Sequence, residues 1–364
     1  MKLKMTFACL WAAGCVMLGA LGILGALGMP GASGALHAQP APAQRPPALP
    51  PAEKLAEGWI ALFDGETTYG WKIVEGEAVV KDGVLILGGG ATAAKIRTTV
   101  SLPPGELFTD AGDGQTFTGV TVDSFPIDLA TGKKVPDDQQ PIVPQPIELT
   151  SPAGKSLHLR RVHYRPKGTK SIFNGKDLTG WKEHPGKKKS KFTVTPEGWL
   201  NVQDGPGDLQ TTGLYRDFLL QLECKSNGKH LNSGIFFRCL PGEYQQGYEV
   251  QIRNQWEGED RTRPVDFGTG AIYRRQPARK VNATDGEWFS LTILANGRHL
   301  ASWVNGLQVT DWIDDRPANA NARQGACLNP GAISIQGHDP TTNLSFRNFR
   351  IVAFGQGDKQ AGHP

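Results

Sequence analysis

Three short stretches in the second half of the chain alternate apolar residues with hydrogen-bonding ones. In 246–253, Tyr248, Val250 and Ile252 take one parity and Glu249, Gln251 and Arg253 the other. In 233–238, Ile235 and Phe237 alternate with Gly234, Phe236 and Arg238; in 333–338, Ile333 and Ile335 alternate with Ser334, Gln336 and His338. Successive side chains of a strand point to opposite faces. If the apolar parities make a core, Arg238, Glu249, Gln251, Gln336 and His338 line one concave sheet. Tyr273 joins them from 270–273, opposite Ile272. A carboxylate, two amides, a guanidinium, an imidazole and a phenol offer sugar hydroxyls both donors and acceptors, so the set suits a sugar groove. The competing interpretation is the ordinary polar outer face of a sandwich. Asn232, in the turn Asn232-Ser233-Gly234, either contacts substrate or caps backbone.

The stretch 254–269 is long for a connector, and long ordered loops in compact domains tend to be functional. Trp256 is placed there to stack on a ring. Glu257, Glu259, Asp260 and Asp266 are oxygen donors of the kind Ca²⁺ takes, but their spacing matches no calcium loop. Beyond that ion no cofactor is expected. Nucleophile elbow, phosphate loop, dinucleotide fingerprint and HExxH zinc motif are all missing from the sequence.

The elements that must carry these residues are strands. Short alternating runs at 78–87, 192–202, 217–224, 234–240, 246–253, 287–295, 299–304, 331–337 and 344–353 are separated by Asp82-Gly83, Asn227-Gly228, Asp285-Gly286, Asn296-Gly297 and Asn305-Gly306. Such dipeptides supply the positive φ angles of two-residue hairpins. Many short strands with these turns predict an all-β jelly roll or sandwich. One phrase occurs twice: Leu62-Phe63-Asp64-Gly65 to Gly70-Trp71-Lys72 and Ile172-Phe173-Asn174-Gly175 to Gly180-Trp181-Lys182. Repetition at a long period predicts two copies of one folding unit. The closing strands 157–165 and 344–352 also match, which puts the boundary near 166–170.

The second copy resembles the bacterial 3-keto-disaccharide hydrolase domain over about 171–354. The marks are Phe173-Asn174-Gly175-Lys176-Asp177-Leu178-Thr179-Gly180-Trp181, Asp217 to Glu223, Asn232-Ser233-Gly234-Ile235-Phe236-Phe237-Arg238, Gly247-Tyr248-Glu249-Val250-Gln251-Ile252, Gly270-Ala271-Ile272-Tyr273, Gly286-Glu287-Trp288, Asn305-Gly306, Ile335-Gln336-Gly337-His338 and Phe346-Arg347-Asn348, in that order. The resemblance implies a concanavalin-like jelly roll, a periplasmic or surface setting and cleavage of 3-keto glycosides. A ketone at C3 acidifies the C2 proton, so a base and oxyanion donors are needed. On this resemblance Glu249, His338 and Gln251 form the catalytic set, with Glu249 or His338 as base. Arg238, Gln336, Tyr273, Asn232 and Trp256 bind substrate, with Arg238, Gln251 and Gln336 as donors. Two alternatives stand beside it. Glu223 could pair with Glu249 as in an ordinary two-carboxylate glycosidase. A non-catalytic glycan-binding module would stack sugars on Trp181 and Trp256.

Composition bounds the rest. The net charge of +4 is small, and Lys187-Lys188-Lys189 is the one basic run, so no nucleic-acid partner is expected. The partner expected is a carbohydrate. Lys2, Lys4, the apolar stretch Met5 to Met29 and Ala35-Leu36-His37-Ala38 predict a signal peptide over 1–38, hence a secreted or periplasmic protein with no lasting membrane insertion. Residues 39–54 are a Pro/Ala spacer, 55–167 a reduced, non-catalytic β-sandwich, 168–355 the jelly roll and 356–364 a disordered tail. Cys224, Cys239 and Cys327 lack metal spacing and predict buried thiols.

Overall fold

The repeated phrase folds the same way twice, and its hydrogen bonds show why those residues recur. Asp64 Oδ1 accepts the backbone N–H of Glu66 at 2.8 Å and of Thr67 at 2.7 Å; Asn174 Oδ1 accepts those of Lys176 at 2.8 Å and Asp177 at 3.0 Å. This side-chain turn delivers a tryptophan into the core. Trp71 Nε1 donates to Leu62 O, and Trp181 Nε1 to Ile172 O at 2.8 Å. Further on, Thr98 Oγ1 donates to Val100 O and accepts Ile147 N–H, while Thr211 Oγ1 donates to Gly213 O and accepts Ile333 N–H. Trp181 is thus a buried core residue and offers no stacking face.

The computed structural model describes residues 48–111, 116–121 and 142–355. The predicted signal peptide, most of the spacer and the tail 356–364 lie outside the described residues. The described residues form one unit. The second copy is an antiparallel jelly roll. Its front sheet runs Trp181–Lys188, Gly207–Thr211, Ala332–Gly337, Ser233–Cys239, Tyr248–Ile252. Its back sheet runs Lys191–Val194, Leu200–Gln203, Asn343–Ala353, Phe218–Ser226, Trp288–Asn296, His299–Val304, Leu307–Ile313, with Lys170–Ser171 on Asn343–Ala353. Ile235, Phe237, Tyr248, Val250, Ile333 and Ile335 from the front meet Phe218, Leu220, Leu222, Leu291 and Ile293 from the back in one core.

The first copy repeats this order in reduced form. Ala78–Lys81, Val84–Gly88, Ser156–Pro166, Gly105–Ala111 and Thr116–Thr121 make one sheet; Trp71–Glu75, Ala94–Thr98 and Glu148–Ser151 make the other. Among the described residues nothing corresponds to Ser233–Cys239 or Tyr248–Ile252, the two strands that bring Gly234, Glu249 and Gln251 to the polar face. The first copy also completes the second. Leu219, Leu294, Ala301, Trp303 and Val352 point away from the jelly-roll core and are buried in a second cluster with Phe63, Trp71, Leu85 and Tyr164. Trp303 Nε1 donates to Ala61 O at 3.2 Å across this seam. The back sheet is therefore a middle layer, apolar on both faces where the first copy covers it.

Two expectations are corrected here. Part of the spacer is ordered structure: Pro50 is buried, a helix, Ala52–Glu57, starts within it, and His163 Nε2 bonds Ala48 O at 2.6 Å. Glu223 lies on the back sheet, bonded by Arg347 Nε at 2.9 Å and by Asn348, so it cannot flank a bond together with Glu249 on the front sheet. The three cysteines Cys224, Cys239 and Cys327 are free and buried. Among the described residues no helix is long and apolar enough to cross a membrane.

Candidate active site

The outward face of the front sheet is polar and yet buried. Glu249 is 5 % exposed, Gln251 1 %, Gln336 3 %, and Asp208 and Ser334 0 %. Strand register arranges these side chains in two rows. Asp208 pairs with Gln336, and Gly234 with Gln251; Gln210 pairs with Ser334, which pairs with Phe236, which pairs with Glu249. Continuing the register puts Gln336 opposite Gly234, so the first row reads Asp208, Gln336, Gly234, Gln251. Because Gly234 has no side chain, the Glu249 carboxylate leans over it: a Cβ there would lie 2.7 Å from Glu249 Oε1 and 2.9 Å from its Cγ. Gly234→Ala should therefore push the carboxylate out of place. We expect a loss of about 10²-fold in turnover with a melting temperature close to that of the parent; parental turnover in a folded variant would show that the carboxylate position does not matter.

Glu249 opens into a cavity of about 220 Å³ that Tyr273, Arg274, Arg275 and Arg323 also line. That is below the ~300–1,000 Å³ of drug-sized sites and suits a single ring. Arg323 Nη2 donates to Glu249 Oε2 at 3.0 Å, and its guanidinium lies 5.0 Å from the Phe236 ring centroid. Burial pushes the Glu249 carboxyl up to about 7 against the pull of Arg323, with Asp266 and Asp208 adding repulsion. A carboxyl poised near neutrality in a cavity is what a general base requires. Tyr273 is held in place by its own N–H, which donates to Glu249 O at 2.9 Å, and by an edge contact with Phe267 at 5.2 Å.

A second cluster adjoins this one. Gln251 Nε2 donates to Asp266 O at 3.1 Å and Oδ2 at 3.0 Å; Asn232 Nδ2 lies 3.4 Å from Asp266 Oδ2 and 3.4 Å from His338 Nε2. His338 stands at the rim, 40 % exposed in its side chain, with Nδ1 2.7 Å from Asp339 Oδ2. Asp266, Phe267 and Arg274 all adopt left-handed φ, of 50°, 70° and 59°. Such backbone persists where surrounding structure enforces it, which occurs often at functional sites.

The structure thus gathers Glu249, Gln251, Gln336, Tyr273, Asn232 and His338 on one face. It separates two others. Arg238 sits in a β-bulge at φ 49°, which breaks the alternation and turns it away from the row. Four of its five guanidinium N–H groups donate to Asp217 Oδ1, Arg216 O, Gly297 O and Cys327 O at 2.6–2.9 Å, and the side chain is fully buried, so Arg238 braces loops away from the polar face. Trp256 is half-buried with Arg261 4.1 Å from its ring centroid, so that guanidinium occupies a stacking face. Gln251 is present but presents Oε1, because Asp266 takes its N–H groups. The loop acids diverge: Glu257 pairs with Arg263, Asp260 caps Thr262, and Asp266 turns to Gln251. Among the described residues no group of three His, Cys, Asp or Glu side chains could hold a metal ion.

Asp208 and Arg323 belong to this site and were not expected. Asp208 carries the same parity signal as the rest, since Leu209 points inward. Arg323 comes from an irregular loop and has no local signal. A larger hollow of about 740 Å³ lies in the first copy, but apolar Leu107, Ile147, Leu149, Leu157 and Leu159 line much of it.

The family model of the 3-keto-alpha-glucoside-1,2-lyase-like domain matches residues 168–352, just over half of the chain. The protein belongs to this family. The match spans the jelly-roll copy almost end to end, including every residue of the candidate site described above, and leaves the first copy outside. Solved structures align over a similar extent. A candidate glycosyl hydrolase from Parabacteroides distasonis is 21 % identical, with 52 % of this chain and 94 % of that chain covered at a TM-score of 0.43. The carbohydrate-binding module CBM66 from Bacillus subtilis is 15 % identical, with 47 % and 93 % covered at 0.33. The β-glucanase of Bacillus licheniformis is 13 % identical, with 52 % and 99 % covered at 0.34. No protein of curated function matches the sequence.

Proposed function

We propose that this protein cleaves 3-keto glycosides by elimination across C1 and C2, followed by hydration, with Glu249 as the base. The observation that carries the reading is a buried carboxyl, pushed up to about 7, at the floor of a one-ring cavity beside Arg323. The C3 ketone lets Glu249 remove the C2 proton. Negative charge then develops on the C3 oxygen. Arg323 keeps N–H groups beyond its bonds to Glu249 and Gln245 O, and Tyr273 lines the same cavity, so both are placed to meet that oxygen. The bond from C1 to the leaving oxygen breaks, giving a C1=C2 double bond conjugated with the ketone, and water adds back to complete hydrolysis.

His338 at the rim is a substrate contact in this scheme and Glu249 the base, because only Glu249 is buried in the cavity. A signal peptide over 1–38, as the sequence predicts, would take the reaction outside the cytoplasm. A binding-module reading has little support, since Trp181 is core and Arg261 covers a face of Trp256. The test is to offer the purified protein 3-keto-trehalose, a 3-keto glucoside and their unoxidised parents. Sugar release from the oxidised compounds alone is expected, with a rate that rises with pH through about 7 as Glu249 ionises. A folded protein that releases nothing from any 3-keto glycoside sinks the proposal.

A further inference from the structure

Beyond the Glu249 cavity, the two polar rows hold buried side-chain atoms with no well-formed hydrogen bond among the described residues: Asp208 Oδ1, Gln336 Oε1 and Gln251 Oε1 in the first row, and in the second Ser334 Oγ, which lies close enough to Asp208 to favour its ionised form. Buried polar atoms are seldom left unsatisfied, so several side by side mark a place meant for water or a polar ligand. We propose that this place seats the leaving sugar and that Asp208 protonates the glycosidic oxygen as it departs, an inference that rests on the elimination reading above.

Geometry gives Asp208 this part. Its Oδ2 is fixed by the N–H of Gln245 at 3.0 Å, which leaves Oδ1 as the free atom to carry a proton. The Glu249 carboxylate lies over Gly234, two strands away from Asp208, which at ~4.8 Å per strand is ~10 Å and leaves the width of a ring between them. Arg323 contacts the two differently. It donates to Glu249 directly, whereas its hydrogen bonds reach Asp208 by way of Gln245, whose carbonyl it bonds at 3.0 Å, and only its charge acts there through space. Burial holds the Asp208 carboxyl up to about 7, opposed by the Gln245 N–H, the Arg323 charge and the side chains of Ser334 and Gln210, so a neutral acid is available at physiological pH.

The proton balance closes over the cycle. Glu249 takes the proton from C2. The electron pair of the C1–O bond goes to the leaving oxygen, which takes the proton of Asp208, so the sugar leaves as a neutral alcohol. Asp208, now ionised, removes a proton from the water that adds to C1, while Glu249 returns its proton to C2. Both groups end as they began.

An acid at the leaving oxygen matters only when the leaving group is a poor one. The experiment compares 4-nitrophenyl and methyl 3-keto-glucosides with the full-length protein and its Asp208→Asn variant. Asn keeps an acceptor for Gln245. We expect kcat/KM on the methyl substrate to fall by about 10²–10⁴-fold, while the nitrophenyl substrate keeps a rate within about fivefold. Equal losses on both substrates, or no loss on either, overturn the assignment. Should the variant fail to fold, pH profiles of the parent protein decide. The methyl substrate should lose rate above about 7 as Asp208 ionises while the nitrophenyl substrate does not; the same profile for both overturns the role of Asp208. A parent protein that cleaves neither substrate overturns the elimination reading itself.

Discussion

Glu249→Gln should leave a folded protein that no longer releases sugar from any 3-keto glycoside. The amide fills the same volume over Gly234 and still accepts a hydrogen bond from Arg323, so the cavity should survive. What disappears is the only group in it placed to take the C2 proton. Removal of a positioned base lowers turnover by about 10²–10⁴-fold, and here the loss should be independent of leaving group, because proton removal precedes departure. The same substitution carries a stability signature. Glu249 titrates at 4.5 when unperturbed and about 7 in the fold. Between those values the folded state holds the proton more tightly than the unfolded one, so stability falls as pH rises through this window. Gln has no such dependence. The variant should therefore gain melting temperature relative to the parent as pH is raised from about 5 to about 8. Full activity in Glu249→Gln would refute the assignment of the base, and an unchanged difference in melting temperature would show that the carboxyl is not held neutral.

Much of this site was legible because strand alternation is strict where no bulge intervenes. Tyr248, Val250 and Ile252 do point inward, and Glu249 and Gln251 outward. Arg238 shows the limit of the argument. One residue of bulge at φ 49° carries it off the face that parity assigned, and nothing in Phe236-Phe237-Arg238-Cys239 announces a bulge. Asp208 was readable in principle from Gly207-Asp208-Leu209-Gln210-Thr211, but flanking Gly and Pro hide so short a strand. Arg323 was not readable, since its meeting with Glu249 spans 74 residues and depends on how a loop folds back. The layering had a signal of its own. Phe218-Leu219-Leu220 and Ile293-Leu294-Ala295 are apolar at consecutive positions, which a strand with one wet face does not need.

That layering turns deletion of the first copy into a severe change. Among the described residues the first copy has no counterpart of the strands that bring Gly234, Glu249 and Gln251 to the site, so by chemistry alone residues 168–364 should suffice. By packing they should not. Removing 55–167 uncovers Leu219, Leu294, Ala301, Trp303 and Val352, each at most 2 % exposed in the whole protein. Full burial of a large apolar side chain is worth ~1.5–3 kcal/mol, and a bare patch of this kind on a long antiparallel sheet favours association. Gln221 Nε2 also bonds Gly58 O at 2.8 Å, and Asp64 pairs with Arg279 at 2.9 Å, so polar groups lose partners with the apolar ones. We expect the fragment to be insoluble, or to melt at least 10 °C below the parent. Trp303→Ala in the full chain should report the same seam more gently, at about 3–5 kcal/mol. A fragment 168–364 that is monomeric and as stable as the parent would show that the seam contributes nothing. One made soluble by Leu219→Lys and Leu294→Lys, yet still turning over 3-keto glycosides, would place stability in the first copy and catalysis in the second.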